Sequence, residues 1–233
     1  MLPVIILAGG LATRLRPITE TIPKALVEIN GRPFLDYQMG LLAANGVTRA
    51  VLSVAYRGEM IEEYLGDGSR YGIAVSYSYD GPVYLGTAGA IRKALDQVGE
   101  SFFTLYGDSY LTASFAAVEK AFLESAKEAL MTVYRNDGLF DTSNVEFTDG
   151  RIAVYDKKAR SPAMRHIDYG LGVFRASVFA GLAEDESGDL ATVYRDVLRR
   201  GQLAAYEVHE RFYEIGTLSG IEDTGNFLAE RGL

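Results

Sequence analysis

Two adjacent glycines, Gly9 and Gly10, close an apolar run from Leu2 to Leu7, and three cations, Arg14, Arg16 and Lys24, follow them. Paired glycines let the backbone bend and leave no Cβ between its N–H groups and a ligand. Bare N–H groups with converging cations suit a polyphosphate. The string is not a Walker loop, because no Gly-Lys-Ser/Thr follows the glycines, nor the dinucleotide fingerprint, because the second and third glycines of G-x-G-x-x-G are missing. A second glycine-rich segment, Leu85-Gly86-Thr87-Ala88-Gly89-Ala90, is either a helix start with Thr87 as its cap or a backbone on which a flat base and ribose can lie. Asp108 follows the apolar run Phe102 to Leu105. An Asp in that place either caps the next helix or offers hard oxygen to a divalent cation.

The elements that must hold these residues are legible from periodicity. Leu2 to Leu7, Ala50 to Val54, Ile73 to Tyr77, Phe102 to Leu105 and Ala129 to Tyr134 read as strands. Between them, Leu35, Met39 and Leu42 recur at helical spacing before Asn45-Gly46, and Glu59 to Leu65 is a short helix closed by Gly66. Ala88, Ile91, Leu95 and Val98 predict the stripe of a third helix, and Phe115, Val118 and Phe122 that of a fourth. Strand and helix in alternation predict a mainly parallel sheet with helices on both faces, and in such sheets ligands bind beyond the carboxyl ends of the strands. The pattern then changes. Ser143 to Phe147 and Arg151 to Tyr155 flank Asp149-Gly150, a hairpin signal. Ile167 to Phe174, Leu203 to Val208 and Phe212 to Ile215 are further strands, Leu190, Tyr194 and Val197 mark a helix, and Ser219 to Arg231 reads as a C-terminal helix.

The 233 residues carry 23 Lys and Arg against 31 Asp and Glu, a net charge of −8. That balance disfavours a protein that coats nucleic acid, while a local cluster such as Arg14, Arg16 and Lys24 still serves an anionic nucleotide. No stretch approaches the roughly 20 apolar residues of a membrane span, and Met1-Leu2-Pro3-Val4 lacks the basic start of a secretory signal. There is no cysteine, hence no disulfide and no thiolate metal site, which fits a reducing cytoplasm.

The full opening string, G-G-x-x-T-R-L-R-P-x-T from Gly9, then Pro23-Lys24-Ala25-Leu26 and Gly31-Arg32-Pro33, resembles the sugar-1-phosphate nucleotidyltransferases, the nucleotide-diphospho-sugar pyrophosphorylases. Further matches extend the resemblance over nearly the whole chain, and its compact size looks most like bacterial heptose or mannose 1-phosphate guanylyltransferases. The resemblance implies an α/β, Rossmann-like (glycosyltransferase-A-like) sheet with a small β-rich sugar-binding extension. It implies one domain over 1–233, with a nucleotide-binding half to about 135 and a sugar-binding half from about 136. By the same resemblance Leu7, Ala8, Gly9, Gly10 and Thr13 wrap the triphosphate, and Gly86, Thr87 and Gly89 admit base and ribose. Arg14 stabilises the leaving pyrophosphate, and Lys24 bridges the reacting phosphates. Asp108, in the family's N-G-D place with Tyr106 for the Asn, holds Mg²⁺. Glu214-Ile215-Gly216-Thr217 stands where the family has D-I-G-T, so Glu214 becomes the second metal ligand; its extra methylene either shifts the ion or holds it through water. On the sugar side, Lys158 matches the Lys of an E-K-P string while Lys157 replaces the Glu. Asp168, before Gly170, replaces an Asn, and Asn144 and Glu146 join the polar set that suits a polyol. His166 is given no role.

The implied reaction joins a nucleoside triphosphate to a sugar 1-phosphate with release of pyrophosphate. GTP with a hexose or heptose 1-phosphate is the leading expectation, giving a precursor for cell-surface polysaccharide. UTP or CTP, a non-sugar phosphate acceptor, and a regulatory module that binds nucleotide sugar without turnover stand as alternatives. The expected partners are these two substrates, without nucleic acid or membrane, and a homodimer is a family expectation.

Overall fold

The computed structural model describes residues 1–10 and 12–233. Strand β1 (Val4–Leu7) is β-branched, apolar and buried. The short β2 (Glu28–Ile29) and β3 (Arg32–Pro33) pair with each other and lead into α1 (Phe34–Ala44). β4 (Arg49–Val54), α2 (Gly58–Leu65) and β5 (Ala74–Tyr79) follow, then α3 (Gly86–Ala94), β6 (Ser101–Tyr106), β7 (Ser109–Leu111), α4 (Phe115–Ser125) and β8 (Ala129–Arg135). The hairpin β9 (Val145–Thr148) and β10 (Arg151–Tyr155) precedes the long β11 (His166–Arg175). α5 (Leu190–Arg199), β12 (Leu203–Val208), β13 (Phe212–Glu214) and α6 (Leu218–Glu230) complete the chain.

β1 lies between β4 and β6, parallel to both, and β5 extends the sheet beyond β4, also in parallel. β11 runs antiparallel between β6 and β8, and β12 adds to β8 in parallel. The hairpin joins the same nine-stranded sheet at His166 of β11. The mainly parallel sheet flanked by helices that the alternation predicts is therefore present, with one antiparallel strand inserted. Its faces are both covered. Val4 and Ile6 pack with Leu35, Met39, Leu42, Ile61, Phe115 and Phe122 on one side, while Ile5 packs with Ala88, Ile91, Leu190, Tyr194 and Val197 on the other. Each such side chain, taken fully from water, contributes about 1.5–3 kcal/mol. Ser114, Asp189 and Thr217 accept from the first-turn N–H groups of α4, α5 and α6, which fixes where those helices start.

The periodicity errs at α3. The α-helix ends at Ala94 and tightens into a 3-10 turn, Leu95–Gln97, so buried Ala94 takes the core position and Leu95 is only half-buried. The hairpin matches its signal: Asp149 and Gly150 have φ of 51° and 74°, the pair of left-handed residues a type I′ turn requires. Gly107 has a steric reason of its own. A Cβ there would meet the Leu7 carbonyl at 2.9 Å and the Ala8 Cα at 3.0 Å, so only glycine lets the ends of β1 and β6 lie side by side.

Candidate active site

The parallel strands deliver their carboxyl ends to one place. A cleft of about 660 Å³ opens there, lined by Leu7, Ala8, Gly9 and Gly10 after β1, Gly86 and Thr87 at the start of α3, and Lys24 and Asp108. The two glycines differ in what they do. A Cβ on Gly9 would sit 3.1 Å from the Ala55 Cβ, whereas a Cβ on Gly10 would meet nothing within 4 Å. Gly9 lets the turn pass β4, and Gly10 presents bare backbone to the opening.

Lys24, on a 3-10 turn after Pro23, reaches across to Asp108, and its Nζ lies 2.8 Å from Oδ2. Asp108 sits in the turn between β6 and β7, held where its carbonyl accepts from the Ile215 N–H at 3.0 Å. That bond, with the β7–β13 pairing of Ser109 to Glu214, brings Glu214 beside Asp108. Burial, then the charge of Asp108 and of Asp141, pushes the Glu214 carboxyl above its ordinary range, against the pull of Arg14 and Lys24. Arg14 is exposed and lies over Gly216: its Nη2 is 3.0 Å from where a Gly216 Cβ would stand. Two cations thus face two carboxylates at the rim. Among the described residues no group of three or more Asp, Glu or His side chains is placed to hold a metal ion. Mg²⁺ needs only one or two carboxylates when phosphates and water complete its shell. The mutual repulsion of Asp108 and Glu214 is what a divalent cation relieves, so this pair fits such an ion.

A second cleft, of about 780 Å³, adjoins the first, and Tyr106 lines both. Its wall brings together Asp168, Asn144 and Gly170 of the expected acceptor set, with Glu214, Ser109 and Asp141 beside them. Asp168 is fixed by Tyr155, whose hydroxyl donates to Oδ2 at 3.2 Å, and by the Gly170 N–H on Oδ1 at 3.1 Å. Asn144 Oδ1 accepts from the Asp168 N–H at 3.0 Å. Burial and the nearby Asp168 charge hold the Tyr106 and Tyr155 hydroxyls protonated, well above the usual phenol range. Gly170 has φ of 97° within the stretch where the pairing of β11 to β8 shifts register between Asp168 and Gly172. The left-handed residue bends the strand at the cleft wall.

Four sequence expectations change. Gly89 does not line the cleft; a Cβ there would collide with the Glu186 carbonyl, so its missing side chain lets α3 pack on the 183–189 loop. Glu146 lies outside both clefts and accepts from the Ser161 hydroxyl. Lys158 is exposed and outside the clefts; its backbone N–H donates to Asp156 Oδ1 at 2.7 Å. Lys157 lines the second cleft instead, with its ammonium 5.8 Å from the Tyr106 ring centroid, and Arg160 joins it. Two of the departures from the family's strings, Tyr106 and Lys157, thus meet in space. Thr13 lies on the exposed 3-10 turn beside Arg14, outside the clefts. Thr87 lines the cleft, and its hydroxyl accepts from the Leu190 N–H at 2.8 Å.

Sequence reasoning missed Asp80 and Tyr84, which also line the first cleft. Asp80 precedes Gly81 after a strand and so reads as an ordinary turn residue. Its carboxylate is buried, Oδ2 accepting from the Leu85 N–H at 3.0 Å, and burial raises its pKa against the pull of that bond and of Lys93. His166 is structural, its Nε2 paired with Glu207 at 3.0 Å.

A parallel sheet with glycine-rich turns at its carboxyl ends, cations over the first cleft and a polar second cleft beside it define a nucleotidyl-transferring enzyme. The sequence matches the Nucleotidyl transferase family over residues 3–231, and the chain belongs to that family. It is 30% identical to the D-glycero-alpha-D-manno-heptose 1-phosphate guanylyltransferase of Campylobacter jejuni, over 91% of this chain and 93% of that one. It is 28% identical to the N-acetylmuramate alpha-1-phosphate uridylyltransferase of Neisseria meningitidis, over 94% of each. The fold matches that of the inositol-1-phosphate CTP transferase from T. maritima with a TM-score of 0.82, at 24% identity over 98% and 95% of the two chains. Sugar-phosphate nucleotidyl transfer is the activity of this family, and its members use different bases.

Proposed function

We propose that the chain transfers a guanylyl group from GTP to a hexose or heptose 1-phosphate, giving an NDP-sugar and pyrophosphate. The observation that carries the transfer is the Lys24–Asp108 pair, 2.8 Å apart, lining the nucleotide cleft beside the second cleft. The triphosphate lies along Gly9, Gly10 and Lys24, the sugar phosphate in the cleft of Asp168, Lys157 and Arg160. A sugar phosphate oxygen attacks the α-phosphorus, and the bond to the β-phosphate oxygen breaks, releasing pyrophosphate. Lys24 neutralises the two phosphates that approach each other, and Arg14 the leaving one. Tyr106 borders both reactants' clefts, and Tyr155 fixes Asp168 for a sugar hydroxyl. Asp108 and Glu214 would hold Mg²⁺, which supplies positive charge against the phosphate oxygens. The chemistry asks for positioning and charge neutralisation, not for a nucleophilic side chain. The guanine and heptose assignments draw on the Campylobacter relative and on the polyol-suited polar wall.

The test is pyrophosphate release with Mg²⁺, pairing each of GTP, UTP, CTP, ATP and dTTP with a panel of sugar 1-phosphates. Release with GTP and one hexose or heptose 1-phosphate is expected. Release of NDP without pyrophosphate would instead identify a kinase, and silence with nucleotide still bound a regulatory module.

A further inference from the structure

We infer that Arg57, with Tyr56, is a positioning residue for the transfer: from outside both clefts it clasps the Glu20 main chain and so holds the segment that carries Arg14 and leads to Lys24. This rests on the roles proposed above for those two cations.

The turn between β4 and α2 bears on both ends of the segment from Gly9 to Glu20. At one end Gly9 passes Ala55, so closely that a Cβ on it would lie 3.1 Å from the Ala55 Cβ. At the other end the Glu20 carbonyl accepts from Arg57 Nη2 at 2.8 Å and from the Tyr56 hydroxyl at 3.1 Å. Arg57 Nε donates in turn to the Tyr56 oxygen at 2.9 Å, so the two side chains act as one unit. The stretch between is closed on itself. Thr19, 2% exposed, donates its hydroxyl to the Ala12 carbonyl at 2.8 Å, and the Leu15 N–H donates to the same oxygen at 3.1 Å. The Leu15 side chain is buried. Arg14 stands on this small loop, and Lys24 on the next 3-10 turn. Glu20 lies between them, so fixing its main chain limits the movement of both.

Neither Arg57 nor Tyr56 lines either cleft, so direct contact with substrate does not account for them. Arg57 has a backbone φ of 55°, in the left-handed region that a residue with a Cβ enters only at a cost. Such strain persists where surrounding contacts over-determine it, and the long-range hydrogen bond of this side chain ends on the Glu20 carbonyl. The guanidinium meets no carboxylate among the described residues; its charge strengthens a bond to a main-chain oxygen instead. Transfer is sensitive to such support. Arg14 is to meet charge that grows on the leaving pyrophosphate, and a donor displaced by about 1 Å loses much of its effect. A loosened segment therefore lowers kcat more than it weakens nucleotide binding.

The test compares the full chain with Arg57→Gly. Glycine adopts the left-handed backbone without strain, so this variant removes the clasp and keeps the shape of the turn. Its melting temperature should stay close to that of the wild type. Pyrophosphate release is followed with whichever of GTP, UTP, CTP, ATP and dTTP the wild type uses. The variant's kcat should fall by about 10–10²-fold, with the KM for the nucleotide near the wild-type value. Hydrogen exchange over residues 12–20 should quicken while that of β1 does not. A wild-type kcat, or unchanged exchange over residues 12–20, would overturn the inference. Should Arg57→Gly melt early, Tyr56→Phe decides, since it removes one hydroxyl only: slower turnover with faster exchange supports the clasp, and a wild-type value of either overturns it. A wild type that releases no pyrophosphate from any of the five would overturn the transfer reaction. The clasp is then judged by exchange, and stands only if residues 12–20 exchange faster in Arg57→Gly.

Discussion

The Lys24 ammonium and the Asp108 carboxylate meet at 2.8 Å across 84 positions of sequence. One comes from the turn after the signature loop, the other from the end of the central strand β6, so their meeting reports that both arms of the site are correctly folded together. Both side chains keep some contact with solvent, which makes the pair a weak stabiliser and leaves Lys24 free to exchange the carboxylate for phosphate. Lys24→Ala should therefore lower turnover by about 10²–10³-fold, the loss typical of a donor placed to meet charge in the transition state, while the melting temperature moves by only a few degrees. Pyrophosphate release and a thermal melt on the same preparation check both halves; full turnover would remove Lys24 from the site.

Glu214 carries a pH signature with a definite sign. Its carboxyl is raised above the ordinary 4.5 in the fold, first by burial and then by Asp108. The folded chain thus holds that proton more tightly than the unfolded chain does. The stabilisation is present below about pH 4.5 and is lost as pH rises through the folded value. Glu214→Gln should raise the melting temperature at neutral pH, and the gain should vanish toward pH 4, even as turnover falls. A melt series from pH 4 to 8 reads this directly; a variant less stable than wild type at pH 7 would contradict it.

The same repulsion sets the response to metal. Mg²⁺ alone should raise the melting temperature of the wild type, because an ion that binds only the folded chain stabilises it by mass action. The rise should shrink in Asp108→Asn and in Glu214→Gln. Equal shifts in all three proteins would place the ion elsewhere.

On the acceptor side, Lys157 and Arg160 line the second cleft and Lys158 does not. Lys157→Ala and Arg160→Ala should each raise the KM for the sugar phosphate by about tenfold, the scale of one hydrogen bond to a charged group, with the KM for the nucleotide unchanged. Lys158→Ala should leave both constants as they are. Steady-state kinetics with each substrate varied in turn separates the three.

Gly89→Ala should destabilise the fold by about 1–3 kcal/mol, as an added methyl in a packed contact does, because the Cβ would collide with the Glu186 carbonyl. Denaturant unfolding measures it; a variant of unchanged stability would mean that α3 has room to shift.

Much of this was legible in the sequence, and the failures share a cause. The β-branched run before Gly9, the Asp149-Gly150 turn and the 3–4 spacing of Leu35, Met39 and Leu42 each carry local information, and local physics placed them. Asp108 was expected from its place at a strand's carboxyl end and Glu214 from the resemblance to a D-I-G-T string, and the Ser109–Glu214 pairing sets the two side by side. Gly89, Glu146 and Lys158 stand outside the clefts because their surroundings come from elsewhere in the chain: the Glu186 carbonyl, the Ser161 hydroxyl, and the turn at Asp156 after which Lys157 lines the second cleft. Neighbouring lysines are identical in pattern, and only the folded loop says which one faces the cleft. Asp80 was overlooked because a carboxylate before a glycine is the commonest kind of turn, and its burial depends on α3 packing over it.

Tyr106 belongs to both clefts, and this makes the enzyme hard to retarget piecemeal. A change of that ring reshapes both clefts in one stroke. New acceptors are therefore reached most cheaply through the 141–160 segment, where Asp141, Thr142, Asn144, Lys157 and Arg160 border the second cleft and not the first. Diversification of substrate in this lineage should be read in that segment, with the partition itself left standing.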